Sequence, residues 1–214
     1  MIFTGIILLV LSYVLGSISF SIRIGKWIYG VDVREHGSGN AGATNTFRVL
    51  GTAAGTVVLV LDVLKGLLAV MLPVWWLNEF QSPVLFENFR VMCGAAAVLG
   101  HVFPVFERFK GGKGVATLLG VAVGMFPQAA LICIGLFLMI LLLTRYVSLG
   151  SILASLAYGL ILLLVERVHH DASIIYAICI PLLVIITHKA NIQRLIAGSE
   201  NRTDILKKFR QNEN

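Results

Sequence analysis

The sequence predicts an all-α integral membrane protein with seven transmembrane helices. The 214 residues are 57% hydrophobic and only 13% charged, and their mean hydropathy is +0.89. A water-soluble domain of this length cannot bury so much apolar surface, so we expect lipid around it. The net charge of +6 is attributed to membrane orientation and anionic headgroups, and no nucleic-acid partner is expected. Without a visible repeat or linker, residues 1–214 are predicted to form a single domain.

Six apolar segments follow one another along the chain. The first lacks a basic leading segment and a small-residue cleavage site, so we interpret it as a retained helix and not a signal peptide. The third is the weakest, because only its second half is strongly apolar. The segments cover residues 2–24, 52–77, 84–105, 115–144, 149–166 and 172–189.

The fourth segment is too long for one span. A helix over residues 115–144 would measure about 45 Å, against a hydrocarbon core of about 30 Å. Pro127 lies near its middle, and proline breaks helices. We therefore expect two helices in this segment.

The basic residues favour the same division. With the segment split and the amino terminus outside, 14 of the 17 Lys and Arg residues fall on the inner side. Without the split, the basic carboxyl end would lie outside. We therefore predict seven spans, an outer amino terminus and a cytoplasmic carboxyl terminus. Ile205, Leu206 and Phe209 give the basic tail an apolar stripe that favours contact with membrane lipids.

The first polar loop, residues 36–51, is rich in glycine and in neutral hydrogen-bond donors; we call it the opening loop. Glycine permits positive φ and leaves backbone N–H groups open, as in an anion-binding nest. Arg48 adds a planar fork that suits phosphate. A flexible surface loop has a similar composition and is the alternative. The candidate ligand-binding residues are Gly37, Ser38, Gly39, Asn40, Gly42, Thr44, Asn45 and Arg48.

A second polar element, the lysine loop, consists of Lys110, Gly111, Gly112, Lys113 and Gly114. It lacks the first glycine and the Ser/Thr of a Walker A motif, and no strand precedes it, so nucleotide hydrolysis is disfavoured. Two lysines and two glycines before a helix still favour a phosphate site, because free N–H groups point outward there. Interfacial lysines that extend toward water are the alternative.

The third polar element ends the last apolar segment. His188 and Asn191 are three residues apart, which places them on one helical face. Histidine can transfer protons near neutral pH, and asparagine can orient it or a substrate. An ordinary interfacial helix end would have the same composition.

A few charged or polar residues lie within the spans themselves. Asp62 and Lys65 are one helical turn apart inside the second segment. Intramembrane charges indicate function by default, but an i,i+3 pair that neutralises itself is an equal alternative. His101 ends the third segment beside the lysine loop, where a structural or a supporting role is open.

With this topology the polar elements share the cytoplasmic face, which favours a substrate with an anionic head and an apolar tail. Asp32, Glu35 and Glu107 are scattered, so we predict no metal site and no cofactor. Ser38 lies near His36, so a nucleophilic serine stays open. A transporter for an organic phosphate is the alternative function. We disfavour it because transporters place polar, broken helices at the bilayer midplane in repeated halves.

Three stretches of the sequence carry a family resemblance: GSGNAGATNTFRVLG, GHVFPVFERFKGGKGVAT and THKANIQRLIAGSENR. They closely resemble the signature motifs of the bacterial acyl-phosphate:glycerol-3-phosphate acyltransferases. The resemblance implies a seven-span inner-membrane enzyme with its active site facing the cytoplasm. It implies that the enzyme joins an acyl phosphate to sn-glycerol 3-phosphate and releases lysophosphatidic acid and phosphate, the first acylation of phospholipid synthesis. Nothing demands more than a monomer.

The resemblance also implies roles for individual residues. The family's activity-critical positions match Ser38, Arg48, Lys113, His188 and Asn191, and its glycerol-phosphate loop matches Gly111 to Gly114. A serine after the fifth span approaches the phosphate in this family; Ser148 and Ser151 both fit, and Ser151 is preferred. Glu200 matches a structural glutamate. We expect non-covalent transfer, with Ser38 donating a hydrogen bond and the substrate's own phosphate preferred over His188 as the base.

Overall fold

The computed structural model describes residues 2–79 and 82–203. Within them the chain forms ten α-helices and no β-strand, which confirms the predicted all-α class. The tail residues Ile205, Leu206 and Phe209 lie outside the described residues. The helices are α1 (Ile2–Gly16), α2 (Phe20–Tyr29), α3 (Ala43–Leu50), α4 (Thr52–Met71), α5 (Pro83–Val102), α6 (Val115–Met125), α7 (Pro127–Thr144), α8 (Val147–Leu164), α9 (Asp171–Thr187) and α10 (Lys189–Ile196).

Within residues 2–79 and 82–203, four stretches of helix are long and apolar enough to cross a membrane alone. They are α4 with the 3₁₀ turn that follows it, α5, α7 and α8. The bent pairs α1–α2 and α9–α10 raise the number to six if each pair is one span. The apolar helix α6 has 11 residues and is about 16 Å long, roughly half the thickness of a bilayer core.

The first apolar segment is not the single helix that the sequence predicts. It breaks between Gly16 and Phe20, where α1 and α2 bend by 44°. The Ser17 hydroxyl donates to the Tyr13 carbonyl at 2.9 Å, a local bond that competes with regular helix geometry. The Ile18 carbonyl accepts from the Lys65 ammonium at 2.9 Å. The break is therefore stabilised by a side chain from α4.

The division of the fourth segment is confirmed. α6 ends at Met125 and α7 begins at Pro127, the first helical position, where the missing proline N–H costs no hydrogen bond. The two helices have 11 and 18 residues, so only α7 has the length of a span.

The central helices approach one another closely through glycine. A Cβ added to Gly66 of α4 would come within 2.0 Å of the Thr117 carbonyl oxygen of α6. A Cβ added to Gly120 of α6 would come within 1.9 Å of the Val63 carbonyl oxygen. Small residues allow such close backbone contact in membrane bundles. The backbones of α4 and α6 are therefore in close contact at Gly66 and Gly120.

The opening loop contains a helix that the sequence does not predict. α3 covers Ala43–Leu50, and its buried residues Ala43, Asn45 and Thr46 face the protein. It packs against α4 and α2. Half of the loop is therefore a helix fixed to the bundle, and not a flexible connection.

Candidate active site

The opening loop is folded around the Asn45 side chain. Its Oδ1 accepts from the Ser38 N–H at 2.8 Å, and its Nδ2 donates to the carbonyls of Val33 at 2.7 Å and His36 at 3.1 Å. Asn45 is 1% exposed. We therefore interpret Asn45 as the organiser of this loop and not, as predicted from the sequence, as a ligand of the substrate.

Of the three opening-loop glycines predicted to bind a ligand, two have a positive φ, 63° at Gly37 and 71° at Gly39. Gly42 is extended, with φ of −162°. The N–H groups of Gly39 and Gly42 donate to the carbonyls of His36 and Asn40, both at 3.1 Å. The loop is therefore a set of tight turns in which these N–H groups are satisfied, and the expected open nest is wrong for them.

The lysine loop is pressed against the end of α5. The N–H of Gly111 donates to the Val102 carbonyl at 3.2 Å, and the N–H of Gly112 donates to the His101 carbonyl at 3.1 Å. The N–H groups of Gly111 and Gly112 are therefore paired within the protein, and the phosphate site expected at the start of α6 stays a prediction. A Cβ at Gly112 would lie 2.3 Å from both the Ala41 carbonyl oxygen and His101 Nε2. Glycine is required here for close packing against the opening loop.

Lys113 follows at the entrance to α6, and Gly114, with φ of 81°, begins that helix in a conformation that favours glycine. The Lys113 ammonium donates a hydrogen bond to Asn191 Oδ1 on α10. The lysine loop and the end of the last apolar segment, which are far apart in the sequence, therefore meet.

The last apolar segment bends by 62° at His188, between α9 and α10. His188 is 3% exposed, and its Nδ1 lies 2.8 Å from the Val184 carbonyl oxygen. Because a carbonyl can only accept, Nδ1 carries a proton in this contact. The bend interrupts the predicted helical face that His188 and Asn191 would share. Both side chains are buried, but only Asn191 is hydrogen-bonded to Lys113.

The Glu200 carboxylate accepts hydrogen bonds from three neighbouring side chains. Glu200 Oε1 accepts from Asn191 Nδ2 at 2.6 Å and from the Ser148 hydroxyl at 2.8 Å, and Oε2 accepts from Arg194 Nε at 2.7 Å. Burial alone would raise the pKa of Glu200, but these hydrogen bonds hold it below its usual value. The carboxylate therefore stays charged and links α8, α10 and, through Asn191, the lysine loop.

These elements line a partly open cavity of about 170 Å³. At ~30 Å³ for each water molecule, it has room for a small polyol phosphate. Polar and cationic groups dominate its wall, which suits an anionic, hydrogen-bonding ligand. The lining residues are Ser38, Gly39, Asn40, Lys113, Thr187, Ala190, Asn191 and Arg194.

Burial lowers the pKa of Lys113 to about 8. The negative charge of Glu200 opposes this shift, whereas the positive charges of Arg194 and Arg48 add to it. Lys113 therefore carries an ammonium at neutral pH that a bound anion would stabilise further.

A sequence profile of the family described as "Glycerol-3-phosphate acyltransferase" matches residues 6–198. The chain belongs to the glycerol-3-phosphate acyltransferase family. It is 40% identical to the glycerol-3-phosphate acyltransferase of Chlorobium phaeobacteroides (strain DSM 266), over 93% of this chain and 96% of that one. It is 43% identical to glycerol-3-phosphate acyltransferase 2 of Bacillus anthracis, over 92% of this chain and 98% of that one.

Two crystal structures of PlsY (YgiH), an integral membrane glycerol 3-phosphate acyltransferase, are similar to this acyltransferase. The glycerol 3-phosphate form has a TM-score of 0.84 and 40% identity, and covers 96% of this chain and 98% of that chain. The lysophosphatidic acid form has a TM-score of 0.81 and 39% identity, over 95% and 97%. The predicted family, acyltransferase activity and membrane location in general are thereby confirmed.

Several predicted site residues of the acyltransferase lie outside the cavity wall. Arg48 and Thr44 are exposed on α3, and Lys110 is exposed at the start of the lysine loop. Arg48 still lies close enough to act on the charge of Lys113. We therefore place Arg48 at the margin of the site.

The two serine candidates on α8 differ in their contacts. The Ser151 hydroxyl donates to the Val147 carbonyl of its own helix at 2.9 Å, and Ser148 donates to Glu200. The family resemblance favours Ser151, but Ser148 is the serine that joins the polar network. Neither hydroxyl lines the cavity.

Three lining residues were not predicted: Thr187, Ala190 and Arg194. Arg194 lies three residues after Asn191 on α10, so the helical spacing that pairs i and i+3 could have identified it. Thr187 and Ala190 carry no charge that would have singled them out.

Proposed function

We propose that this acyltransferase uses an acyl phosphate as its donor and sn-glycerol 3-phosphate as its acceptor, and releases lysophosphatidic acid and inorganic phosphate. The observation that carries the proposal is the cavity shared by Ser38, Lys113, Asn191 and Arg194. The glycerol 3-phosphate and lysophosphatidic acid forms of the similar PlsY structures support this acceptor and this product.

The phosphate of glycerol 3-phosphate would lie between the Lys113 ammonium and the Arg194 guanidinium. Arg194 uses Nε to pair with Glu200, and its remaining guanidinium N–H groups suit phosphate oxygens. Asn191 lines the same cavity and would orient the glycerol hydroxyls. Two fixed positive charges and neutral donors within one cavity therefore match the acceptor.

The acyl phosphate would approach from the opening loop, with its phosphate near Ser38 and Arg48. The 1-hydroxyl oxygen of the acceptor attacks the acyl carbonyl carbon and forms the ester C–O bond. The bond from that carbon to the phosphate oxygen breaks, and phosphate leaves with the electron pair. Cationic groups and the Ser38 hydroxyl offset the developing negative charge. An acyl phosphate is already activated, so binding both substrates side by side supplies much of the acceleration.

The hydroxyl proton would pass to a substrate phosphate, whose pKa of about 6 suits that task. His188 is less suited, because it is 3% exposed and does not line the cavity. We infer that His188 supports the bend that presents Asn191.

We further propose the topology that this mechanism needs. The chain would form one domain with an outer amino terminus and a cytoplasmic carboxyl terminus. It would have seven spans, the six candidates and the short helix α6. The opening loop, the lysine loop and the α10 end of the last span then lie on the cytoplasmic side of a bacterial inner membrane. The enzyme would act as a monomer, with the acyl chain lying among membrane lipids and no cofactor taking part.

The direct test uses purified enzyme in detergent with a long-chain acyl phosphate and labelled glycerol 3-phosphate. We expect labelled lysophosphatidic acid and one phosphate for each acyl transfer, without any carrier protein. A matched reaction with the corresponding acyl-coenzyme A should give no product. Product from the thioester alone would overturn the proposed donor.

The transporter alternative finds no support in the family, whose relatives are acyltransferases. Reconstituted vesicles provide the matching control. Labelled glycerol 3-phosphate should not accumulate inside them without acyl phosphate.

A further inference from the structure

Four buried polar side chains, Asp62, Lys65, His101 and Thr117, form a group that we call the buried cluster. They come from α4, α5 and α6 and are between 0% and 5% exposed. None of them lines the cavity. Because these side chains lie inside or at the end of apolar helices, contact with water does not explain their presence.

The contacts of the buried cluster form a continuous path. The Lys65 ammonium lies 2.8 Å from Asp62 Oδ1 and donates to the Ile18 carbonyl in the break of the first apolar segment. Asp62 Oδ1 lies 3.5 Å from His101 Nδ1, and the Thr117 hydroxyl lies 3.0 Å from the same nitrogen.

This path ends at the lysine loop. The His101 carbonyl accepts the N–H of Gly112 at 3.1 Å. The Gly112 backbone passes so close to the His101 ring that a Cβ would lie 2.3 Å from Nε2. The next residue is Lys113, and Thr117 lies four residues further along the chain, in the first turn of α6. Through His101 and Thr117, the buried cluster therefore contacts the chain on both sides of Lys113.

The energetics favour a role beyond helix packing. Each buried ion costs several kcal/mol to desolvate, and apolar residues of similar volume often hold helices together equally well. α4 and α6 are already interlocked through Gly66 and Gly120. The charged side chains of Asp62 and Lys65 therefore favour a role in which the direction of their contacts matters.

We propose that Asp62, Lys65, His101 and Thr117 are positioning residues that set the location of the Lys113 ammonium for glycerol 3-phosphate. The inference rests on the proposed function of the cavity. A small displacement of a group that orients a substrate costs about ten- to hundredfold in rate. Loss of the buried cluster should therefore weaken use of glycerol 3-phosphate more than it weakens the fold.

Thr117→Val is the least invasive test, because it removes one hydroxyl and keeps the shape of the side chain. We expect kcat/KM for glycerol 3-phosphate to fall by about tenfold, with the midpoint of thermal unfolding close to that of the unmodified enzyme. A value of kcat/KM within twofold of the unmodified enzyme would overturn the proposal.

The stronger test replaces both ions, Asp62→Leu with Lys65→Met, so that no unpaired charge stays buried. Its matched control is Glu87→Gln with Arg90→Met. That pair, 3.2 Å apart, joins α5 to carbonyls of α4 and α6 away from the lysine loop. We expect about a tenfold or larger loss of kcat/KM in the cluster variant and none in the control. Equal losses in both would overturn the proposal, and Thr117→Val decides the matter if the double variant does not fold.

A binding measurement separates this proposal from the proposed function. Equilibrium binding of labelled glycerol 3-phosphate is measured on the unmodified enzyme and on the cluster variants. Weaker binding in the cluster variants than in the unmodified enzyme supports positioning. If the unmodified enzyme shows neither binding nor turnover, the proposed function fails; if the unmodified enzyme shows both and the cluster variants match it, only the positioning role fails.

Discussion

At the scale of single residues, Lys113 links the parts of the site. It follows the closely packed glycines of the lysine loop, donates to Asn191 and has its pKa lowered to about 8 by burial. Its charge is therefore available for phosphate at neutral pH but is lost within an accessible range of pH.

This predicts a pH dependence. The ammonium that binds phosphate is present below its pKa and absent above it, so kcat/KM for glycerol 3-phosphate should fall as pH rises through about 8. Lys113→Arg keeps its charge at every pH tested, so the fall should disappear, although the level near pH 7 should be lower because the two cations differ in shape. An identical fall in both enzymes would show that another group titrates.

A second prediction concerns Ser38, whose N–H is held by Asn45 and which lines the cavity. As a single hydrogen-bond donor to the developing charge, Ser38 should contribute about a hundred- to thousandfold to kcat, so Ser38→Ala should keep a measurable rate. Intact-protein mass spectrometry of the unmodified enzyme with acyl phosphate alone should show no added acyl group. An acyl adduct that disappears in Ser38→Ala would contradict the non-covalent mechanism.

The sequence identified cavity residues that belong to distinctive polar motifs, and it missed those whose type is common at helix ends. Ser38, Lys113 and Asn191 were predicted and line the cavity. The sequence could not show that Asn45 is buried within its own loop, because burial depends on α3 packing against the bundle. Thr187 was missed since a threonine at a helix end is common and carries no charge.

At the scale of elements, the fold depends on three breaks in apolar helices. The break at Pro127 is visible in the sequence, because proline cannot continue a helix from within. The break after Gly16 is not, since it depends on a lysine from another helix that binds the freed carbonyl. The bend at His188 likewise depends on a tertiary environment.

The lysine loop provides a prediction at this scale. Gly112→Ala would force a methyl group against the Ala41 carbonyl and the His101 ring, so both the unfolding midpoint and kcat/KM for glycerol 3-phosphate should fall. Gly135→Ala is the control, because no atom beyond its chain neighbours and its own helix backbone lies within 4 Å of the added Cβ. Alanine there should stabilise α7 by about 0.5–1 kcal/mol and leave turnover unchanged. Unchanged kinetics in Gly112→Ala would show that the loop position does not matter.

At the scale of the whole molecule, apolar helices bring three polar elements to one end of the bundle. Composition and apolar segments predicted the all-α membrane class, and the positive-inside rule provides the proposed orientation. Sequence could not supply the distances between elements, because these follow from glycine-mediated packing of α4 on α6 and from the polar network around Glu200.

The most direct test of this account is labelling of Ala190→Cys in membrane vesicles of defined orientation, with Cys93, Cys133 and Cys179 replaced by alanine. A membrane-impermeant thiol reagent should label this cysteine only from the cytoplasmic side, and glycerol 3-phosphate should protect it. Labelling from the outer side, or labelling that glycerol 3-phosphate does not slow, would contradict a cytoplasmic acceptor site built from the opening loop, the lysine loop and α10.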